Sequence, residues 1–156
     1  MSLSPVAALQ LPYLRLHQAI YRLSRGWVGR HVGGHRALLL TTKGRRTGKL
    51  RTNGLIYAKR GNDLIVVASN SGRDRDPGWC HNLRADPVVT VQVGRRRVPA
   101  AARIAEGDER EELWELVNKH NRGLAMLLHR GARGRYDVYQ THTPRPIPVV
   151  VLTPHE

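Results

Sequence analysis

The stretch Val88-Val89-Thr90-Val91-Gln92-Val93-Gly94-Arg95-Arg96-Arg97-Val98-Pro99-Ala100-Ala101-Ala102-Arg103-Ile104-Ala105 holds two β-rich runs around a glycine turn. Residues 94–97 are too few for the crossover that a parallel neighbour requires, so 88–93 and 98–105 are expected to pair antiparallel. Further apolar runs occur at 37–42, 55–58 and 64–69, with turn chemistry at Lys59-Arg60-Gly61-Asn62, and a sixth at 147–152. Two helices interrupt the strands. Asp76 as N-cap and Pro77 as first residue open a short one running to Ala85, and Asp108 with Glu111 forms a capping-box-like start for another carrying Leu113, Trp114, Leu116 and Val117. A last short helix places Tyr136 and Tyr139 on one face. Six short strands with little βαβ alternation predict a mainly β domain, an antiparallel barrel flanked by helices, and argue against a doubly wound nucleotide fold.

Residues 4–30 read differently. Val6, Leu9, Tyr13, Leu16, Ile20, Leu23 and Trp27 recur at steps of three and four, which predicts an amphipathic N-terminal helix, kinked or restarted at Pro12. The chain thus divides into that helix, residues 1–30, and one domain, residues 31–156. With 40% hydrophobic residues among 156, a packed core is expected; lacking phenylalanine, it must draw on Leu, Val, Ile, Ala and three tryptophans. Cys80 is the single cysteine, and the N-terminus lacks a charged segment followed by a long apolar run and cleavage site. Both point to the cytoplasm, and no apolar run approaches the roughly 20 residues needed to cross a bilayer.

The net charge of +14 is lopsided: residues 1–62 carry twelve Lys or Arg and no Asp or Glu, whereas the remainder carries fourteen against twelve. Such a field attracts phosphates, an anionic membrane or nucleic acid. Its sharpest focus is Thr41-Thr42-Lys43-Gly44-Arg45-Arg46-Thr47-Gly48-Lys49-Leu50-Arg51, a hairpin loop with five cations and two glycines. Glycines let backbone N–H groups face an anion, and guanidinium forks match phosphate and carboxylate oxygens. A solvated basic hairpin is the bland alternative. It is not a Walker A loop, since only three residues separate the glycines and Leu50 stands where Ser or Thr is needed.

Four motifs in order carry a family resemblance. The run 38–52 (Leu-Leu-Leu-Thr-Thr-Lys-Gly-Arg-Arg-Thr-Gly-Lys-Leu-Arg-Thr), Val67-Ala68-Ser69-Asn70-Ser71-Gly72, the run 77–87 beginning Pro77-Gly78-Trp79-Cys80-His81-Asn82, and the run 136–152 beginning Tyr136-Asp137-Val138-Tyr139 resemble the deazaflavin-dependent nitroreductase family. The resemblance implies a split antiparallel β-barrel of the FMN-binding type. It further implies coenzyme F420, a 5-deazaflavin with a phosphate and an oligoglutamate tail, which would pass hydride to a small hydrophobic acceptor such as a quinone, nitro compound or activated alkene. On this resemblance Arg45, Arg46 and Arg51 hold the phosphate and tail, while Lys43, Thr47 and Lys49 belong to the same loop. Asn53, Gly54 and Leu55 lie along the deazaflavin, Ala68, Ser69, Asn70, Ser71 and Gly72 approach its ring, Trp79 and Asn82 close the pocket, and Tyr136 and Tyr139 face the substrate. Four departures from the family pattern border these regions: Asn53-Gly54 in place of a small or β-branched residue followed by proline, Ser71 in place of glycine, Cys80 in place of an aromatic, and a longer, more basic stretch at residues 121–135.

Other readings keep the barrel but exchange the cofactor for FMN, haem or a lipid-like ligand, or make the chain a basic nucleic-acid module on the strength of Arg95-Arg96-Arg97. The latter lacks a recognised motif and strand aromatics for stacking, so no specific nucleic acid is expected. The N-terminal helix either docks on the barrel or brings the protein to the inner face of an anionic membrane. A monomer or a homodimer is expected. His31 and His35 could share a helical face, but no third ligand is placed by sequence and no metal is expected. Asn70 stands where a nucleophile elbow needs serine, so serine hydrolysis is not supported.

Overall fold

The computed structural model describes residues 31–32, 35–120 and 134–155. The expected helix of residues 4–30 lies outside them, as does most of the Gly- and Arg-rich stretch that follows His120. The strands are β1 (His31–Val32), β2 (His35–Lys43), β3 (Leu50–Ile56), β4 (Ala58–Arg60), β5 (Asp63–Val67), β6 (Val88–Val93), β7 (Arg96–Ile104) and β8 (Val149–Pro154). The helices are α1 (Gly78–Ala85), α2 (Gly107–His120) and α3 (Arg135–Thr141).

All pairings are antiparallel, in the order β1-β2-β6-β7-β8-β5-β4, with β3 also on β2. The β6–β7 hairpin turns through Gly94-Arg95, with Val93 opposite Arg96. β3 and β4 are separated only by Tyr57; β3 pairs with β2 and β4 with β5, so one bent segment links the two ends of the sheet and curls it into a split barrel. The period-2 alternation of side chains then gives the sheet two apolar faces. Leu64, Val66, Val150 and Leu152 point inward with Leu38, Leu40 and Val91, and α1 closes that core with Trp79, Cys80 and Leu83. Ile65, Val67, Val149 and Val151 point outward, where Leu113 and Val117 of α2 and Tyr136 of α3 cover them. Burial on both faces explains why these strands read as unbroken apolar runs.

Several boundaries differ from the sequence reading. The expected strand 55–58 is the bent junction of β3 and β4, and β3 begins five residues earlier, because Thr52 and Arg51 continue the ladder opposite Thr41 and Thr42. The Thr41 and Thr52 hydroxyls meet at 2.9 Å across it, so polar character did not prevent pairing. The basic hairpin turn therefore shrinks to residues 44–49. Asp76 does not cap α1, whose N-cap is Pro77, because both carboxylate oxygens of Asp76 are taken by guanidinium groups, those of Arg145 and Arg84. Asp108 lies inside the first turn of α2, which starts at Gly107, and is not its cap. His31 and His35 sit on neighbouring antiparallel strands, not on one helical face.

Candidate functional site

One face of the β2–β3 ladder leads from the core to a cleft. Its cross-strand pairs are Leu38 with Leu55, Leu40 with Asn53, and Thr42 with Arg51, so the face changes from aliphatic to amide to cation within three steps. Beyond Arg51 the chain turns through residues 44–49. Gly48 has φ +70°, and a Cβ on Gly44 would lie 3.0 Å from the Lys49 carbonyl oxygen, so both positions suit glycine. The turn closes with Gly44 N–H donating to Lys49 O and Gly48 N–H to Gly44 O, each at 2.8 Å.

Helix α1 lies across this hairpin and its Asn82 fastens the two together. Asn82, 5% exposed, donates from Nδ2 to Thr42 Oγ1 at 3.1 Å, while its Oδ1 accepts from the Arg45 backbone N–H at 3.2 Å and from Arg45 Nη1 at 3.1 Å. Between hairpin and helix lies a cleft of about 440 Å³ lined by Gly44, Arg45, Arg46, Thr47, Arg51, Asn53, Pro77, Gly78, Trp79 and Asn82. The structure thus brings together seven of the expected site residues: Arg45, Arg46, Thr47, Arg51, Asn53, Trp79 and Asn82. Among the described residues, the side chains of Arg46 and Arg51 have no carboxylate partner. Such a cleft brings guanidinium charge together with the indole of Trp79, a combination that suits a flat ring carrying anionic groups.

The remaining expected residues stand elsewhere. Lys43 ends β2 and is exposed, and Lys49 sits on the outer side of the turn, its backbone N–H donating to Thr47 Oγ1 at 3.3 Å. Gly54 is opposite Leu39, and Leu55 packs on the inner core. Ala68 is buried in that core, while Asn70, Ser71 and Gly72 form a one-turn element with φ of 45°, 56° and 76°, three consecutive left-handed residues of which two carry side chains. For the two non-glycine residues such conformations cost on the order of 1–3 kcal/mol each and persist where the surroundings enforce them. The chain runs from this turn through Asp76 to the cleft at Pro77. Tyr136 packs against Trp114 (centroids 6.3 Å apart) and Tyr139 (6.4 Å) in the outer core, and neither tyrosine ring lines the cleft. Helix α3 nonetheless abuts the turn: a Cβ on Gly72 would lie 2.9 Å from Tyr139 O and 3.0 Å from His142 Cβ.

Sequence reasoning gave no site role to Thr42, Asp76 or Arg145, all of which organise the site; Asp76 was read only as a helix N-cap. All three stood in or beside quoted motifs, but nothing in a linear sequence announces that Arg145 returns to residues 68–76. Burial pushes the Cys80 thiol up to about 11, which leaves it protonated beside the cleft at neutral pH.

The model of the family described as F420H(2)-dependent quinone reductase matches residues 13–154. An F420H(2)-dependent quinone reductase of Mycobacterium tuberculosis (strain H37Rv) is 42% identical over 143 residues, covering 90% of this chain and 89% of that protein. Among solved structures, an F420-H2 dependent reductase is 35% identical with a TM-score of 0.61, over 74% of this chain and 92% of that one. A protein solved as a domain-swapped dimer is 32% identical with a TM-score of 0.64, over 92% and 98%.

Proposed function

This chain belongs to the F420H(2)-dependent quinone reductase family, and from that premise we propose that it transfers hydride from reduced coenzyme F420 to a quinone-type acceptor at the cleft between the 44–49 turn and helix α1. The observation that carries the reading is the set of guanidinium groups at the cleft: among the described residues Arg46 and Arg51 have no carboxylate partner, and Arg45 is held by Asn82. They suit the phosphate and oligoglutamate carboxylates of F420. Trp79, 6% exposed, and Asn53 would flank the deazaflavin.

The reduced deazaflavin supplies a hydride when bound. The task left to the protein is orientation: Arg45, Arg46 and Arg51 anchor the anionic tail, Asn82 fixes Arg45, and the rigid β2–β3 face aligns what lies above Asn53. A quinone that accepts hydride also needs a proton. We assign the substrate side to Tyr139 with Tyr136 behind it, since Tyr139 is half-buried on the helix that abuts Gly72, whereas Tyr136 is enclosed with Trp114. Substituting Phe for Tyr139 tests this role, and a turnover unchanged across the pH profile would remove it.

The direct test of the cofactor is a fluorescence titration of the protein with oxidised F420, with FMN alongside. Saturable, selective deazaflavin binding is expected; selective FMN binding would replace the cofactor and keep the barrel. No helix among the described residues is long and apolar enough to cross a membrane. Peripheral contact through residues 1–30 is a separate proposal, carried by their arginines and apolar stripe and tested by co-sedimentation with anionic vesicles. A homodimer is the assembly we expect, and sedimentation equilibrium decides it.

A further inference from the structure

We propose that Arg145 is a positioning residue for hydride transfer: it staples the left-handed turn Asn70–Gly72 into shape and ties that turn to helix α1. The inference rests on the function proposed above. Its starting point is the three successive positive-φ residues Asn70, Ser71 and Gly72. Only Gly72 takes that conformation freely, Ser71 is exposed, and the turn contributes no large apolar side chain to either core. Strain of this kind buries no large apolar side chain in return, which directs attention to what holds it and what it serves.

The turn makes local hydrogen bonds, Gly72 N–H to Ser69 O at 2.9 Å, Arg73 N–H to Asn70 O at 3.2 Å and Asn70 Nδ2 to Arg75 O at 2.9 Å, and one guanidinium clamps it from a distant part of the chain. Arg145 Nη2 donates to Ser69 O at 2.9 Å and Ala68 O at 3.4 Å, and Nε donates to Arg73 O at 2.7 Å, so the side chain grips the backbone just before and just after the strained residues. Its Nη1 donates to Asp76 Oδ1 at 2.6 Å, and the other Asp76 oxygen accepts from Arg84 Nη1 of α1, also at 2.6 Å. Arg145 is itself fixed by the end of α3: Gln140 Nε2 donates to its carbonyl at 2.7 Å, and its N–H donates to Thr143 Oγ1 at 3.3 Å. Arg145 therefore joins three pieces of the site: its guanidinium reaches the residues assigned to the deazaflavin ring and, through Asp76, the helix that carries Trp79 and Asn82, while its backbone is tied to the helix that carries Tyr139. It lies outside the set that grips the anionic tail. Its loss should disturb the alignment of donor and acceptor more than the affinity for cofactor.

The experiment compares the parent with Arg145→Lys and Asp76→Asn. It measures F420 affinity by fluorescence titration, the single-turnover rate of hydride transfer from F420H2 to menadione, and thermal stability. For Arg145→Lys the F420 Kd should stay within about threefold of the parent while the transfer rate falls at least about tenfold. Asp76→Asn should move the rate in the same direction by less, and it serves as the test if Arg145→Lys does not fold. Adding Ser71→Gly to Arg145→Lys should recover part of the lost rate, because glycine holds φ near +56° without strain, a recovery that general destabilisation would not produce. A folded variant with parental transfer rate overturns the inference, as does a loss of affinity equal to the loss of rate. A parent that binds no F420 removes the functional reading and this inference with it, whereas a parent that binds and transfers hydride while the variants match it removes the inference alone.

Discussion

The arginines around Asp76 and Glu109 meet carboxylate oxygens at 2.6–2.7 Å, whereas Arg46 and Arg51 at the cleft have no carboxylate partner among the described residues. Both groups belong to the same strongly basic chain, so composition does not separate them. Their surroundings do. A guanidinium paired within the chain has its position fixed and its charge compensated, and it contributes architecture. A cluster left uncompensated on a glycine-containing turn repels itself and weakly opposes folding, an arrangement suited to a site whose anion arrives from outside.

The contrast breaks most visibly at Asp76. Its side chain is 13% exposed and that of Arg145 14%, so Asp76→Ala leaves a largely buried guanidinium with carbonyl acceptors only. Removing one partner of a buried pair costs about 3–5 kcal/mol, and the remaining carbonyls place this case near about 3 kcal/mol. Chemical denaturation should show that loss. A stability equal to the parent would mean that the paired arginines are no more architectural than the others.

At the cleft the same kind of truncation should act on binding and spare the fold. Each charge-assisted bond to the cofactor contributes roughly 1.5–3 kcal/mol, so Arg46→Ala and Arg51→Ala should each weaken F420 binding about ten- to a hundredfold. Melting temperatures of both should equal or exceed the parent's, since removing one of several like charges relieves repulsion. Parental affinity in both variants would show the basic turn to be a solvated surface. A milder perturbation sharpens the point. Raising salt from about 0.1 M to about 1 M shortens the Debye length from about 10 Å to about 3 Å, so F420 affinity should fall several-fold while the Asp76 pair, mostly withdrawn from solvent, continues to support the fold. A salt-independent Kd would argue that the tail is not held by charge.

How far each region could be read from the sequence follows the same division. The turn at 44–49 was legible because its cations are local neighbours and its glycines mark the bend, and Asn82 was legible only through the resemblance of its motif. The antiparallel barrel was legible because the connections are short and the apolar runs regular. What escaped depends on contacts between distant residues. Nothing about Asp76 distinguishes an N-cap from an ion-pair acceptor until Arg145, 69 residues away, is seen to reach it. β3 was read as starting at Leu55 because Arg51, Thr52 and Asn53 are polar, yet their places opposite Thr42, Thr41 and Leu40 determine their conformation. The left-handed turn was hidden for a related reason, since Asn70 and Ser71 carry no local signal that both adopt positive φ.

The smallest expected effect belongs to the partly exposed cluster of Glu109, Arg60 and Arg103. Glu109 accepts from Arg60 Nη2 at 2.7 Å and from Arg103 Nη1 and Nη2 at 2.6 and 2.7 Å, and these hydrogen bonds, Arg103 foremost, hold its carboxyl down at about 2. Because the folded carboxyl is the stronger acid, its contribution is present in full above the ordinary value near 4.5 and disappears as pH falls toward 2. The side chains are 31–52% exposed, so solvent screens the interaction and the effect on melting temperature should be slight. Glu109→Gln should therefore melt slightly below the parent at pH 7, converge with it near pH 2, and bind F420 unchanged, since Glu109 lies outside the cleft. If the two proteins keep a constant difference across that pH range, the contribution of Glu109 is not its charge, and Asp76 alone would represent the paired arginines in the contrast with the cleft.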